Sequence, residues 1–468
     1  MLYNSLQFLV FFIVVTILYF QLPWRGRWML LLGASCFFYM AFVPEYILIL
    51  GFTIVIDYFA GLQIERARGF HRKLWLISSL AANISILAVF KYFNFFVSNA
   101  NAALAFAGMP TSLPFLNMLL PIGLSFHTFQ AMSYTIEVYR GSYPAERHFG
   151  IYSLYVMFYP QLVAGPIERP QNVLPQFHEQ YKFDWELCKS GLLQMAFGLF
   201  KKVVIADRLA RVVDGAYNDV GTQNSTTLLI ATIFYAFQIY CDFSGYSDIG
   251  IGAARVMGFD LMKNFDQPYT ARSIGEFWRR WHISLSTWFR DYLYIPLGGN
   301  RVKYSRRLFN VLLVFLISGL WHGASWAFII WGGLHGLYQI VAQLWNRTFP
   351  PREAWEKTWI KKTWDVLSTF ALVTFAWIFF RAHGAHDAVL VIKKLFIQTA
   401  YQAPDLALNV GETLLCVVLI GLLLWKERYY MTLPTAQTWK FATLFSVLLF
   451  SCYLLGVFDH SQFIYFQF

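Results

Sequence analysis

The chain has 468 residues, of which 57% are hydrophobic, 19% aromatic and only 13% charged, whereas soluble domains carry roughly a quarter charged residues. This excludes an ordinary soluble enzyme and specifies a polytopic membrane protein. The net charge of +11 does not point to nucleic acid, because the basic residues fall in short clusters between apolar runs rather than along one face or tail.

In chain order the apolar runs are Ser5 to Leu22, Trp28 to Val43, Tyr46 to Ile64, Leu74 to Val97, Met118 to Ile136, Leu187 to Ala206 and Leu228 to Val256. They continue with Leu308 to Trp321, Ala324 to Trp345, Trp364 to Phe380, Leu414 to Trp425 and Phe441 to Phe458. The pattern predicts an all-α membrane protein with about eleven transmembrane helices, plus runs short enough to be re-entrant or interfacial. The first run has no basic residue before it and no small-residue cleavage pattern after it, so it is read as helix one and not as a signal peptide. Arg25 and Arg27 follow the first run, and Arg66, Arg68, Arg72 and Lys73 follow the third, while Ser98 to Pro114 is uncharged. Positive-inside sorting then places the N-terminus outside the cytoplasm and Arg301, Lys303, Arg306 and Arg307 inside.

Tyr159 to Gln176, Asn264 to Ile274 and Tyr294 to Tyr304 interrupt the helical pattern with Pro or Gly. Arg347 to Lys362, with Pro350, Pro351 and many charges, is expected in water or at the interface. The absence of an internal repeat argues against a transporter built from inverted halves. Cys36, Cys188, Cys241, Cys416 and Cys452 lie singly in apolar segments, as small buried hydrophobes do. No nucleophile elbow, phosphate loop or zinc-binding His-Glu-x-x-His occurs. Gly250-Ile251-Gly252 lacks the third glycine of a dinucleotide fingerprint.

Three constellations carry polar chemistry into apolar sequence. His322 stands alone in Gly319-Leu320-Trp321-His322-Gly323-Ala324, roughly 20 Å along a helix starting near Leu308, and intramembrane ionisable groups mark functional sites by default. The bland reading is a core histidine bonded to a neighbouring carbonyl. Ser273 to Leu297 places Glu276, Arg279, Arg280, His282, Arg290 and Asp291 among aromatic residues. Trp278, Trp281, Leu285 and Trp288 follow helical spacing, so the segment reads as one interfacial or re-entrant helix with an aromatic stripe. Either it lines a substrate path with its arginines on anionic groups of a donor, or it lies on anionic headgroups with the histidine merely packed. In the third, Tyr240 to Asp248, the carboxylates Asp242 and Asp248 are about 600° apart on a helix, so they are not a paired acid and base. Each is expected to be satisfied by a buried arginine or hydroxyl. Glu168 and Arg169 read as turn residues that pair with neighbours, and His127 and His335 as packing residues, with Gly332, Gly333 and Gly336 allowing close helix approach.

The wording Trp278-Arg279-Arg280-Trp281-His282-Ile283-Ser284-Leu285-Ser286-Thr287-Trp288, then Arg290-Asp291-Tyr292, Leu297-Gly298-Gly299-Asn300 and Gly319 to Ala324 resembles the membrane-bound O-acyltransferase superfamily. Within it, the chain resembles the bacterial branch that O-acetylates alginate, cellulose or peptidoglycan. Asp242 to Asp248, Asn264-Phe265 with Pro268-Tyr269, Gly165-Pro166 and Lys201-Lys202 with Ala206-Asp207 extend the likeness over most of residues 1 to 345. The resemblance implies a single membrane domain over 1–468: N-terminal helices 1–136, a catalytic core 137–345 and C-terminal helices 346–468, around a central tunnel. It implies His322 as the catalytic histidine and His282 as the second catalytic residue, with Arg279, Arg280, Trp281, Trp321 and Asn300 in substrate binding and no metal. Acetyl-CoA is the implied donor substrate rather than a bound cofactor. The implied partners are an extracytoplasmic acetyltransferase or acceptor protein, the polysaccharide indirectly, and membrane lipid, in a bacterial inner membrane. D-alanyl transfer to teichoic acid, a carrier or flippase for polysaccharide precursors, and a non-catalytic scaffold remain the alternatives.

Overall fold

The computed structural model describes all residues except 110, 118–120, 164, 350–357, 398–401, 430–436, 459–462 and 465–468. Of the charged stretch Arg347 to Lys362 expected in water or at the interface, residues 350–357 lie outside the described residues. Every regular element among the described residues is helical. The chain divides into two compact units, residues 1–195 with 247–262 and residues 196–246 with 263–468.

The first unit contains α1 (Leu6–Gln21), α2 (Trp24–Met40), α3 (Ile47–Arg66), α4 (Gly69–Leu87), α5 (Phe93–Phe106), α6 (Leu124–Arg140), α7 (Phe149–Met157), α8 (Tyr159–Leu162) and α9 (Pro170–Phe177). Ser5 caps α1 by accepting from the Phe8 amide, and Pro23 fixes the start of α2. Leu48, Phe52 and Phe59 leave an exposed apolar stripe on α3, which is costly in water and suited to lipid. The opposite face carries the buried Asp57, which accepts from Ser79 Oγ at 2.6 Å and Asn83 Nδ2 at 2.8 Å on α4; Ser79 Oγ also lies 3.0 Å from Thr135 Oγ1 on α6. Buried polar groups need such partners, so this cluster fixes the register of three helices.

Between and after these come α10 (Trp185–Phe200), a π-helical turn Lys201–Ala206, α11 (Asp207–Tyr217) and α12 (Ser225–Val256). With 32 residues, α12 is about 48 Å long, and it supplies residues to both units. The second unit continues with α13 (Ile274–Arg280), α14 (Ile283–Phe289), α15 (Tyr304–His322), α16 (Trp326–Thr348), α17 (Trp359–Arg381), α18 (Ala385–Ile397), α19 (Val410–Tyr429) and α20 (Thr438–Leu455).

Six stretches among the described residues are long and apolar enough to cross a membrane: 44–66, 69–106, 225–256, 326–348, 359–381 and 438–455. The remaining apolar runs of the sequence form helices that are shorter or carry charge. α1 and α2 have 16 and 17 residues, and α15 opens on Arg306 and Arg307. The chain is a multi-pass, all-helical membrane protein.

Candidate active site

The sequence predicts one helix from Ser273 onward, but the structure breaks it in two. α13 stops at Arg280, Trp281 is extended, and His282 takes a left-handed conformation, φ 42° and ψ 56°, as the N-cap of α14. That conformation costs a non-glycine residue about 1–3 kcal/mol and persists only where its surroundings over-determine it. Here the segment before α13 does so. The Asp266 amide donates to Arg280 O at 2.9 Å, the Ile283 amide to Asn264 O at 2.9 Å, and Ser284 Oγ to Asn264 Oδ1 at 3.0 Å. These long-range bonds replace the intrahelical ones that a continuous helix would have made.

His322 is the last residue of α15, and Gly323 is extended before α16 begins. The tight α15–α16 turn rests on Gly319 and Gly332. A Cβ on either would strike backbone of the facing helix, Phe328 O or Phe315 O respectively. The expected close approach thus holds at Gly332 and at Gly336, whose Cβ would meet Leu312 at 3.0 Å, while at Gly333 the nearest atom, Leu316 Cδ2, lies at an ordinary 3.5 Å.

These two breaks bring the histidines together. The rings of His282 and His322 lie 6.4 Å apart between centroids, with 0% and 4% of their surfaces exposed. Trp321 at 4.9 Å, Trp331 at 5.0 Å and Phe380 at 5.3 Å enclose His322 edge-on, and Phe243 meets His282 edge-on at 4.6 Å. His282 lies outside the candidate spans, and burial disfavours its imidazolium, keeping the ring neutral.

A cavity of about 410 Å³ is lined by Trp278, Arg279, Leu285, Arg290, Asn300 and Ser318 among others, and neither histidine is part of its wall. Leu285 lies one turn beyond His282 on α14, and Ser318 one turn before His322 on α15. Arg279 is exposed on the cavity wall. Arg280 is directed elsewhere, to Glu276 at 2.6 Å and Thr270 Oγ1 at 2.7 Å. Asn300 lines the cavity and accepts from Tyr294 Oη at 2.7 Å. Trp281 is a core residue, packed against Phe265 and Trp377 at 5.1 Å each, whereas Trp321 lies against both histidines.

His335 does more than pack, because its Nδ1 accepts from Trp278 Nε1 at 3.2 Å and so holds a wall of the cavity. Asp242 pairs with Lys202 at 2.5 Å, not with an arginine, and Lys202 also meets Asp207 at 2.7 Å. Asp248 accepts from Gln194 Nε2 at 2.9 Å. In the first unit, Glu168 accepts from the Met262 amide at 2.6 Å and from Asn172 Nδ2 at 2.7 Å, while Arg169 donates to Ile167 O. His127 makes a 3.3 Å contact with Gly123 O. All five cysteines are free thiols; Cys36 is half-buried and the others buried. Phe243 and Phe380 are site residues that sequence reading missed. Each is one phenylalanine among 47, with no pattern to distinguish it.

The profile of the membrane-bound O-acyltransferase family matches residues 148–383, an interval that contains both histidines and the cavity. The chain is 37% identical over 449 residues to the probable alginate O-acetylase AlgI of Pseudomonas aeruginosa, covering 93% of this chain and 84% of that protein. The chain belongs to the membrane-bound O-acyltransferase family. This acyltransferase is also 37% identical over 401 residues to the peptidoglycan O-acetyltransferase of Helicobacter pylori, covering 78% of this chain and 72% of the relative. Its likeness to the teichoic acid D-alanyltransferase of Streptococcus thermophilus is narrower, 29% over 244 residues, with 48% and 57% covered. Membership makes the reaction an acyl transfer.

Proposed function

We propose that this acyltransferase takes acetyl groups from cytosolic acetyl-CoA and passes them across the membrane for O-acetylation of an extracytoplasmic polysaccharide, in concert with an extracytoplasmic acetyltransferase or acceptor protein. The observation that carries this reading is the burial of His282 and His322 with ring centroids 6.4 Å apart, in a segment whose Arg279 lines a cavity. Two imidazoles buried side by side are placed to serve one reacting group as proton acceptor and proton donor. The identity to O-acetylases over nearly the whole chain supports acetyl as the group transferred.

In the reaction, His322 removes the proton of the acceptor hydroxyl as its oxygen bonds to the acetyl carbonyl carbon. The carbon–sulfur bond then breaks, and the CoA thiolate takes the proton back from His322. At the carbonyl end of α15, the partial negative charge of the helix favours the imidazolium formed in between. Neutral His282 donates an N–H to the thioester oxygen as negative charge develops there, an interaction made stronger by the water-poor site. Arg279, with its planar fork of donors, meets phosphate groups of the donor at the cavity wall, with Asn300 beside it.

Purified protein supplied with acetyl-CoA, its extracytoplasmic partner protein and an acceptor saccharide should release free CoA in step with acceptor acetylation, and His322→Ala should abolish both. Wild-type release by that variant would overturn the proposal. So would transfer of D-alanine from a carrier protein without use of acetyl-CoA, or substrate flux without thioester cleavage.

A further inference from the structure

The geometry points to Phe463 and Ile464, in the segment following α20, as a brace that sets the orientation of His282, with Phe463 a positioning residue for acyl transfer. This rests on the assignment of His282 to the site above.

The brace begins at a buried charge cluster. Asp242 on α12 is 3% exposed and Lys202 1%, and an ion taken out of water costs several kcal/mol unless its remaining lone pairs are met. Lys202 Nζ lies 2.5 Å from Asp242 Oδ1 and 2.7 Å from Asp207 Oδ1. The other oxygen, Asp242 Oδ2, accepts the backbone amide of Ile464 at 2.8 Å. The Val457 amide adds a second tie to Val203 O at 2.8 Å, within the same π-helical turn as Lys202. Charge satisfaction thus fixes where residues 463 and 464 lie.

The next link is apolar. Phe463 is fully buried and stacks on Tyr246, one turn beyond Asp242 on α12, at 4.3 Å and 24°. Its ring lies 5.8 Å from that of Phe243. Phe243 in turn stands at 86° to the His282 imidazole with centroids 4.6 Å apart, and lies 5.0 Å from Phe265. Asn264 fixes the backbone of the left-handed residue at this position, while Phe243 packs edge-on against its imidazole. Phe463 is part of the packing that holds Phe243 in place. Removing it leaves a void into which Phe243 can turn, because unfilled core space is relieved by rotation of neighbouring rings. His282 then loses its edge-on support while every polar contact to its backbone remains.

The test is a double-mutant cycle on the full-length protein in detergent or nanodiscs, measuring donor-dependent CoA release. Phe463→Ala should lower the thermal midpoint, as loss of a buried ring does, and should lower kcat of the folded protein by about ten- to hundredfold, the penalty expected for a misplaced catalytic group, with donor KM within about twofold. In a His282→Ala background the same substitution should change the residual rate by less than about twofold. Phe463→Leu, which keeps most of the volume, should recover most of kcat, and Phe463→Val, intermediate in volume, serves in the cycle if the alanine variant fails to fold. Full multiplicative loss in the His282→Ala background, or loss confined to protein level, would overturn the brace. If His282→Ala is itself fully active, the site assignment falls and the brace with it. An impaired His282→Ala beside an unaffected Phe463→Ala overturns the brace alone.

Discussion

His282 and His322 face each other at 6.4 Å, although one caps a seven-residue helix and the other ends a nineteen-residue helix. Each sits where a helix is interrupted, so each ring is held by a break in backbone geometry and not by a helical face.

If the two rings act on one transition state, their losses will not multiply. His322→Ala should lower the rate by about 10²–10⁴-fold, as expected for removal of a general base, and His282→Ala by a similar or smaller factor. The double variant should be no slower than about threefold below the worse single one. CoA release and membrane protein level measured together check this, and fully multiplicative losses would contradict it.

Arg279 and Arg280 are neighbours with different duties. Arg279→Ala should raise donor KM by about 10- to 100-fold with little change in kcat, the range for a lost charge-assisted hydrogen bond of about 1.5–3 kcal/mol. Arg280→Ala breaks contacts to Glu276 and Thr270 and should lower thermal stability modestly while leaving donor KM unchanged. Saturation curves for the two variants decide, and an equal KM effect would refute the distinction.

The α15–α16 turn should tolerate no side chain at Gly332. Gly332→Ala forces apart the backbones at Phe315 and Gly319, at a cost of about 1–3 kcal/mol or more for overpacking, and should depress both stability and activity. Gly333→Ala, where the nearest atom lies at 3.5 Å, should be close to neutral. Thermal midpoints of the pair provide the comparison.

Burial raises the Glu168 carboxyl to about 7, against the lowering effect of its bonds from Asn172 and Met262. The folded state therefore holds a proton at pH values where the unfolded chain, with a carboxyl pKa of about 4.3, has released it. The contribution is complete below the unfolded value and is lost as pH rises through about 7. Glu168→Gln should remove this dependence, so its thermal midpoint should fall less than wild type between pH 5 and 8. Parallel slopes for the two proteins would show that Glu168 does not titrate in this range.

The two histidines that the fold buries side by side were both singled out in sequence, because an ionisable residue among apolar ones has few inexpensive explanations. The tryptophan stripe at 278, 281 and 288 was misleading for a specific reason. Its spacing is helical, and helical spacing reports only local preference, whereas Asn264 and Asp266 offered the backbone better partners from outside the segment. Arg279 and Arg280 were indistinguishable because adjacent residues differ only in which neighbours the fold brings to them.

Composition and hydropathy alone determined that this is a polytopic membrane protein, and the order of its motifs gave the resemblance to the acyltransferase family, since apolar runs have the same meaning in any fold. The tertiary structure decided the left-handed turn at His282, the pairing of Asp242 with Lys202, the separate directions of the two arginines and the seat of Phe463 behind Phe243. Those depend on contacts between residues far apart in the chain, and the interval between two residues in a sequence carries no record of whether folding will bring them together.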